Sequence, residues 1–272
     1  MRRGLPIALF ASLLSCSGRD ATKVPPDAAP VLGRAEPAAS GSLSAPDAGN
    51  TSTEPKQPES HQLPLPEARD VKGSSAARLS RLSSAECKSE LKQRGIASKP
   101  AGLAAPGVAA PLRISGELRG IQFVTPGGKS KFAVLDCRLA LALDELARVL
   151  ERHQVLAVTI DNFYRPNARM AGTPNKSQHA LGLAADIMGF KLKDGRSLVV
   201  KQDWHGAIAA PVCGPNSQPL TRTREAIALW NLVCDVARER IFHHMLTPNN
   251  DAAHADHLHF DIKRDARSFL VR

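Results

Sequence analysis

Aromatic residues are scarce: one Tyr, two Trp and eight Phe make up 4% of 272 residues. With no basic-aromatic interleaving, no helix-turn-helix and no RNP pattern, the chain lacks the surfaces that read nucleic acid, which is therefore not expected as a partner. The apolar run from Leu5 to Leu14 is the only candidate for a membrane helix. It falls well short of the roughly 20 residues that a span requires. Five cysteines are present, and no two have the close spacing of a thiolate zinc site. No internal repeat is visible. Acidic residues are also in deficit, 26 against 36 Lys and Arg, for a net charge of +10.

The N-terminus holds Arg2 and Arg3, then the apolar run, then Ser15 and Cys16. That order reads as a secretory signal over residues 1–16. Leu13-Leu14-Ser15-Cys16 resembles a bacterial lipobox, in which cleavage before Cys16 leaves it diacylated; an ordinary signal with an incidental cysteine is the alternative. Several acyl chains on one residue anchor firmly where a single chain does not. By the same resemblance, Ser17 in place of Asp favours the outer membrane, with the protein facing the periplasm and touching the membrane through its N-terminal lipid only. Residues 17–80 hold nine of the 20 prolines, with much Ala and Ser. They bury too little apolar surface to offset chain entropy, so a disordered tether with an r.m.s. span of roughly 45 Å is expected. Residues 81–272 suffice for one domain with a core, expected as a monomer. This part carries a net charge of +9, which suits an anionic wall polymer or lipopolysaccharide. Beyond Cys16, an even set of four cysteines in an exported chain suggests two disulfides. Three pairings are open; Cys87–Cys137 with Cys213–Cys234 is preferred.

Local signals outline the domain. Ser83 and Glu86 have capping-box spacing before a helix over 84–94 that Gly95 ends. Ile114 and Leu118–Val124 read as strands leading to a turn at Pro126-Gly127-Gly128. Apolar residues at helical spacing (Leu139, Leu143, Leu146, Leu150) predict a helix from Arg138 to His153. Val155–Tyr164 is a strand, Asp194-Gly195 a hairpin turn, and Thr221–Arg240 a second long helix. Ile241–Leu246 leads toward a last strand. The sum is an α+β domain, a mainly antiparallel sheet carrying a mononuclear zinc site and flanked by helices.

The chemistry lies in two segments. Ser177–Asp186 reads S-Q-H-A-L-G-L-A-A-D, and the chain returns at His254-Ala255-Asp256-His257-Leu258-His259-Phe260-Asp261. If Gly182–Ile187 is a strand, alternation sets Gly182, Ala184 and Asp186 on one face. The second segment does the same with His257, His259 and Asp261. Pairing the two would aim imidazoles and a carboxylate at one point. Three N/O donors, His179, Asp186 and His259, with an open fourth position describe a catalytic zinc site, with one Zn²⁺ as cofactor.

S-x-H-x-x-G-x-A-x-D followed by H-x-H resembles the signature of the zinc peptidase clan that unites lysostaphin, D-alanyl-D-alanine metallopeptidases and hedgehog. The wider wording, S-Q-H-A-L-G-L-A-A-D-I-M-G-F-K-L-K-D-G-R and N-N-D-A-A-H-A-D-H-L-H-F-D, is similar to the bacterial extensin-like C-terminal domain family, from about Cys87 onward. The resemblance implies hydrolysis of amide bonds in peptidoglycan stem peptides, as a D,D-carboxypeptidase or an endopeptidase. His257 matches the clan's catalytic first histidine of H-x-H. Related D,D-peptidases place Glu three residues before the last ligand, where this chain has Asp256. His257 is therefore the expected acid-base group, with Asp256 and His254 as helpers. Arg165 resembles the Tyr-Arg that grips a substrate carboxylate, and Ser177 belongs to the same substrate-binding set. The family's usual Cys-Arg arrangement is missing here, which leaves Arg169 as a rival to Arg165. His205 in Asp203-Trp204-His205 is a decoy, and His243-His244 is given a structural role. The competing function is a wall-binding lipoprotein that keeps the fold without turnover, as hedgehog proteins keep their zinc for other uses. A third possibility is a zinc amidase on another wall bond.

Overall fold

A computed structural model describes residues 59–125 and 131–272. The expected signal, Cys16 and the tether up to residue 58 lie outside these residues, as does the turn at 126–128. The described elements run α1 (Ser75–Arg81), α2 (Ser84–Gln93), β1 (Ser98–Pro100), β2 (Pro111–Ile114), β3 (Gln122–Val124), β4 (Leu135–Asp136) and α3 (Cys137–Arg152). They continue with β5 (Val155–Asn162), β6 (Ala184–Leu192), β7 (Ser197–Val199), α4 (Val200–Asp203), α5 (Arg224–Arg238), β8 (His244–Leu246), β9 (Leu258–Asp261) and β10 (Leu270–Val271).

Helix α3 forms where the apolar spacing places it. Asp136 caps it by accepting from Arg138 N, and Leu139, Leu143, Leu146 and Leu150 are wholly buried. Thr223 caps α5 in the same way, and Leu229, Trp230 and Val233 turn inward. The Ser83/Glu86 capping box opens α2 as expected; such caps contribute about 1 kcal/mol each. Beneath the helices lies a seven-stranded sheet in the order β10-β8-β9-β6-β5-β3, with β7 also paired to β6. A smaller sheet, β1-β2-β4, stands apart from it.

The main sheet is mixed, which corrects the expectation of a mainly antiparallel one. β5, β6, β9 and β8 are antiparallel, but β3 runs parallel to β5 and β10 parallel to β8. The β3–β5 connection passes through α3, and a helical crossover of that kind returns the chain in the same direction. Residues 59–80 bring a second correction, because they are ordered where a tether was expected. Ser60–Gln62 forms a 3-10 turn that buries His61, with Nδ1 2.8 Å from Asn231 Oδ1. Ser74 caps α1, and Ala76 and Leu79 are buried. Two helical turns are too short to show a period, and their stability comes from packing against α3. Both preferred disulfides are present, Cys87–Cys137 and Cys213–Cys234.

Candidate metal centre

The sheet register decides where the chemistry falls. Asp186 on β6 lies directly opposite His259 on β9 and, on the other side, opposite Asn162 on β5. His179 reaches the same point from a 3-10 turn, Gln178–Leu181, whose N-cap is Ser177. Gly182 closes that turn at φ +64°, and a Cβ there would sit 2.9 Å from Asp136 N. Gly182 is therefore part of the turn, and β6 begins two residues later than the motif suggests. Asp136 N donates to Gly182 O, which seats the His179 turn on the start of α3.

His179 Nε2, His259 Nδ1 and Asp186 Oδ1 form a triangle with every edge 3.0 Å. Bonds of about 2.0–2.1 Å to a tetrahedral zinc set neighbouring donors roughly 3.3 Å apart. The triangle matches one face of such a site to within a few tenths of an ångström. The outward nitrogens have partners that leave the inward ones free to act as metal donors when both rings are neutral. His179 Nδ1 is 3.1 Å from the Phe163 carbonyl, which can only accept, so this nitrogen carries the proton. His259 Nε2 is 3.2 Å from Asp261 Oδ2 and carries its proton toward that carboxylate. With both rings neutral in these tautomers, two lone pairs and a carboxylate oxygen face one another and can hold a cation, whereas in the metal-free chain a proton on His259 takes that place. All three side chains are buried, so the donor set fits a metal held away from water.

The charge states follow from the same contacts. Burial favours the neutral Asp186 carboxyl, but hydrogen bonds from His179 and His259 outweigh it and hold the group well below the usual carboxylate range. Burial pushes His179 down. Burial acts the same way on His259, yet Asp186 and Asp261 together raise it to about 9 in the metal-free chain. Asn162 Nδ2 donates to Asp186 Oδ2 at 2.9 Å, fixing the carboxylate's second oxygen. Asp261 in turn lies 3.1 Å from His244 Nδ1. Outer contacts of this kind orient ligands and raise their basicity.

The remaining expected residues distribute around the trio. His257 Nε2 is 3.7 Å from Asp186 Oδ1, and its Nδ1 is 2.9 Å from Asp256 Oδ1. Because β9 starts only at Leu258, Asp256 lies in the preceding turn and can reach His257, where strand alternation would have turned it away. His254 Nδ1 pairs with Asp251 at 2.7 Å, and its ring lies 5.2 Å from that of His257. Arg165 is half exposed, with its guanidinium 3.7 Å from Asp186 Oδ2. Arg169 instead donates to the Pro174 carbonyl within its own loop. Ser177 Oγ accepts from His179 N, so it shapes the ligand's turn. None of His205's described contacts reaches the trio; its carbonyl accepts from Leu220 N. Its neighbour Trp204 stacks on Trp230 and donates to Asn249.

Sequence reasoning missed Asn162, the Phe163 carbonyl and the His244–Asp261 contact. Asp261 shares the alternation of His259 and was legible as a face-mate, whereas His244 joins only through the β8–β9 register, in which it stands opposite Asp261. His243, beside it, is buried and accepts from Lys263 N through Nδ1. Burial lowers this imidazole to about 4. The unfolded residue titrates near 6.5, so between roughly pH 6.5 and 4 the unfolded state gains a proton that the fold refuses. Stability should be full above 6.5 and fall by at most about 3 kcal/mol as the pH drops to 4. Denaturant midpoints across that range should fall less steeply in His243→Gln; equal slopes in both proteins would refute the assignment.

No curated protein matches the chain. The extensin-like protein C-terminus family matches residues 85–271, a span that contains every residue of the trio and its outer contacts, and the chain belongs to that family.

Proposed function

We propose that the protein is a zinc metallopeptidase that hydrolyses an amide bond in peptidoglycan stem peptides, lipid-anchored at Cys16 to the outer membrane and facing the periplasm. The observation that carries this reading is the 3.0 Å triangle of His179, Asp186 and His259 with an acid-base imidazole next to it. The sequence likeness to the lysostaphin and D-Ala-D-Ala peptidase clan supplies the substrate class. His179, Asp186 and His259 would hold the ion. Zinc bound there supplies a Lewis acid that makes water acidic and polarises an amide carbonyl.

The chain's own groups do the rest. His257 stands beside the trio with Nε2 toward it, placed to take a proton from the attacking water and return it to the leaving amine. Asp256 holds His257 Nδ1–H and fixes the ring's orientation. Arg165 presents a half-exposed guanidinium fork at the rim, matched to a substrate carboxylate. Burial strengthens the contacts among His179, Asp186 and His259, where little water competes, whereas Arg165 and Asp256 act at the solvent-facing rim.

Incubating the zinc-loaded full chain with defined muropeptides and reading products by mass spectrometry tests the reading. Release of D-Ala, or conversion of cross-linked dimers to monomers, is the expected outcome. A chain that binds sacculi and releases no product from any muropeptide would establish the wall-binding lipoprotein instead.

A further inference from the structure

Helix α2 carries four charged residues, and they divide into two sets. Glu86 closes the capping box with Ser83, and Glu90 is gripped by Arg78 and Arg94. Both carboxylates are thereby consumed within the fold. Lys88 and Lys92, one turn apart, line a groove of about 530 Å³ between α2 and the edge strand β1, and Lys99 lines it from the strand. None of the three lysines makes an ion pair or side-chain hydrogen bond among the described residues, and no acidic residue lines the groove. Its floor is apolar, formed by Leu91, Ile96 and Leu112. The Cys87–Cys137 disulfide pins α2 to the start of α3 next to Lys88. One wall is thus fixed before any ligand arrives, which lowers the ordering cost of binding.

We infer that this groove is a second docking site, separate from the metal centre, for the carboxylate-bearing stem peptides of peptidoglycan. The inference rests on the wall substrate class of the proposed function but not on turnover. Three lysines left without partners repel one another, and an anionic occupant removes that repulsion. Lysine is a compact, hydrated point charge with rotating donors, suited to single carboxylates spaced along a chain. Lysine also binds phosphate as a point charge, so carboxylate is chosen here from the wall substrate class, and the vesicle arm of the test separates the two. The apolar floor suits short aliphatic side chains between the carboxylates. Such a site would hold the protein on its polymer while the metal centre works on a neighbouring peptide, so that each new bond is met at high effective concentration.

The test uses the full chain with Cys16→Ser, so that no acyl chain contributes, sedimented with purified sacculi at low salt. The K88E/K92E/K99E variant should retain its melting transition and zinc content while losing about tenfold or more in sacculus affinity. The K88R/K92R/K99R variant, which keeps the charges, should bind as the parent does, and added polyglutamate should displace the parent. Undiminished retention of the charge-reversed variant would overturn the inference. So would displacement of the parent by anionic phospholipid vesicles as effective as that by polyglutamate, since it would identify a phosphate-bearing lipid as the occupant. Cleavage of a small soluble muropeptide should be unaffected by the three substitutions. A parent that binds through these lysines yet cleaves nothing would sink the peptidase reading and leave the docking site standing.

Discussion

Replacing Asp186 with Ala in the full chain should reduce bound zinc from about one ion per molecule to a small fraction of that. Asp186 is the only anionic donor of the trio and stands at the centre of the register, between His259 on β9 and Asn162 on β5. Without it, two imidazoles remain, and a two-ligand site does not hold zinc against water. His179→Ala should have the same effect through a different element, because His179 arrives from the 3-10 turn and not from the sheet. Elemental analysis of the purified proteins measures both. A ligand that binds only the folded state adds stability with its concentration, about 2.7 kcal/mol at 100 times its Kd. A chelator should therefore lower the melting temperature of the parent and leave that of Asp186→Ala unchanged. Full zinc occupancy in both variants would show that the trio is not the ligand set.

Much of this site is legible in the sequence because its residues sit in two short segments with fixed internal spacing. His257 and His259 fall within one motif at strand alternation, which suggests a common face, and His179 is tied to Asp186 by the fixed spacing of the other motif and not by alternation. The helices were equally readable: Ser83 and Glu86 have capping-box spacing before α2, and the leucines of α3 recur at helical spacing. What escaped depends on register or on tertiary burial. The two parallel pairings at the sheet's edges follow from crossovers that no local pattern encodes. Helix α1 has two turns and a proline-rich approach, so composition masked a segment that packs under α3. Asp256 reaches His257 because the strand starts two residues after it, at Leu258, a boundary that periodicity does not resolve to one position. His244 meets Asp261 only across the β8–β9 pairing.

His257→Ala should keep zinc and fold while losing turnover on cross-linked or D-Ala-terminated muropeptides by roughly 10² to 10⁴-fold, the usual contribution of a general acid-base group. Its Nε2 lies 3.7 Å from Asp186 Oδ1, beyond hydrogen-bond distance and outside the 3.0 Å triangle, so removing it takes away no donor. The ring is only partly exposed, and truncation opens space at the rim without disturbing the buried face. His259→Ala is the necessary contrast. It deletes a corner of the triangle and strips Asp261 of a partner, so zinc and activity should be lost together. Asp256→Asn adds a third point on the scale. It keeps the side chain's shape but weakens the contact that orients His257 Nδ1, so kcat should fall with zinc content unchanged and by less than in His257→Ala. Zinc content and kcat measured side by side in the three variants separate the roles. If His257→Ala loses the metal while His259→Ala retains it, the two histidines have exchanged places, and the ion is held nearer the Asp256 turn than the β6–β9 register implies.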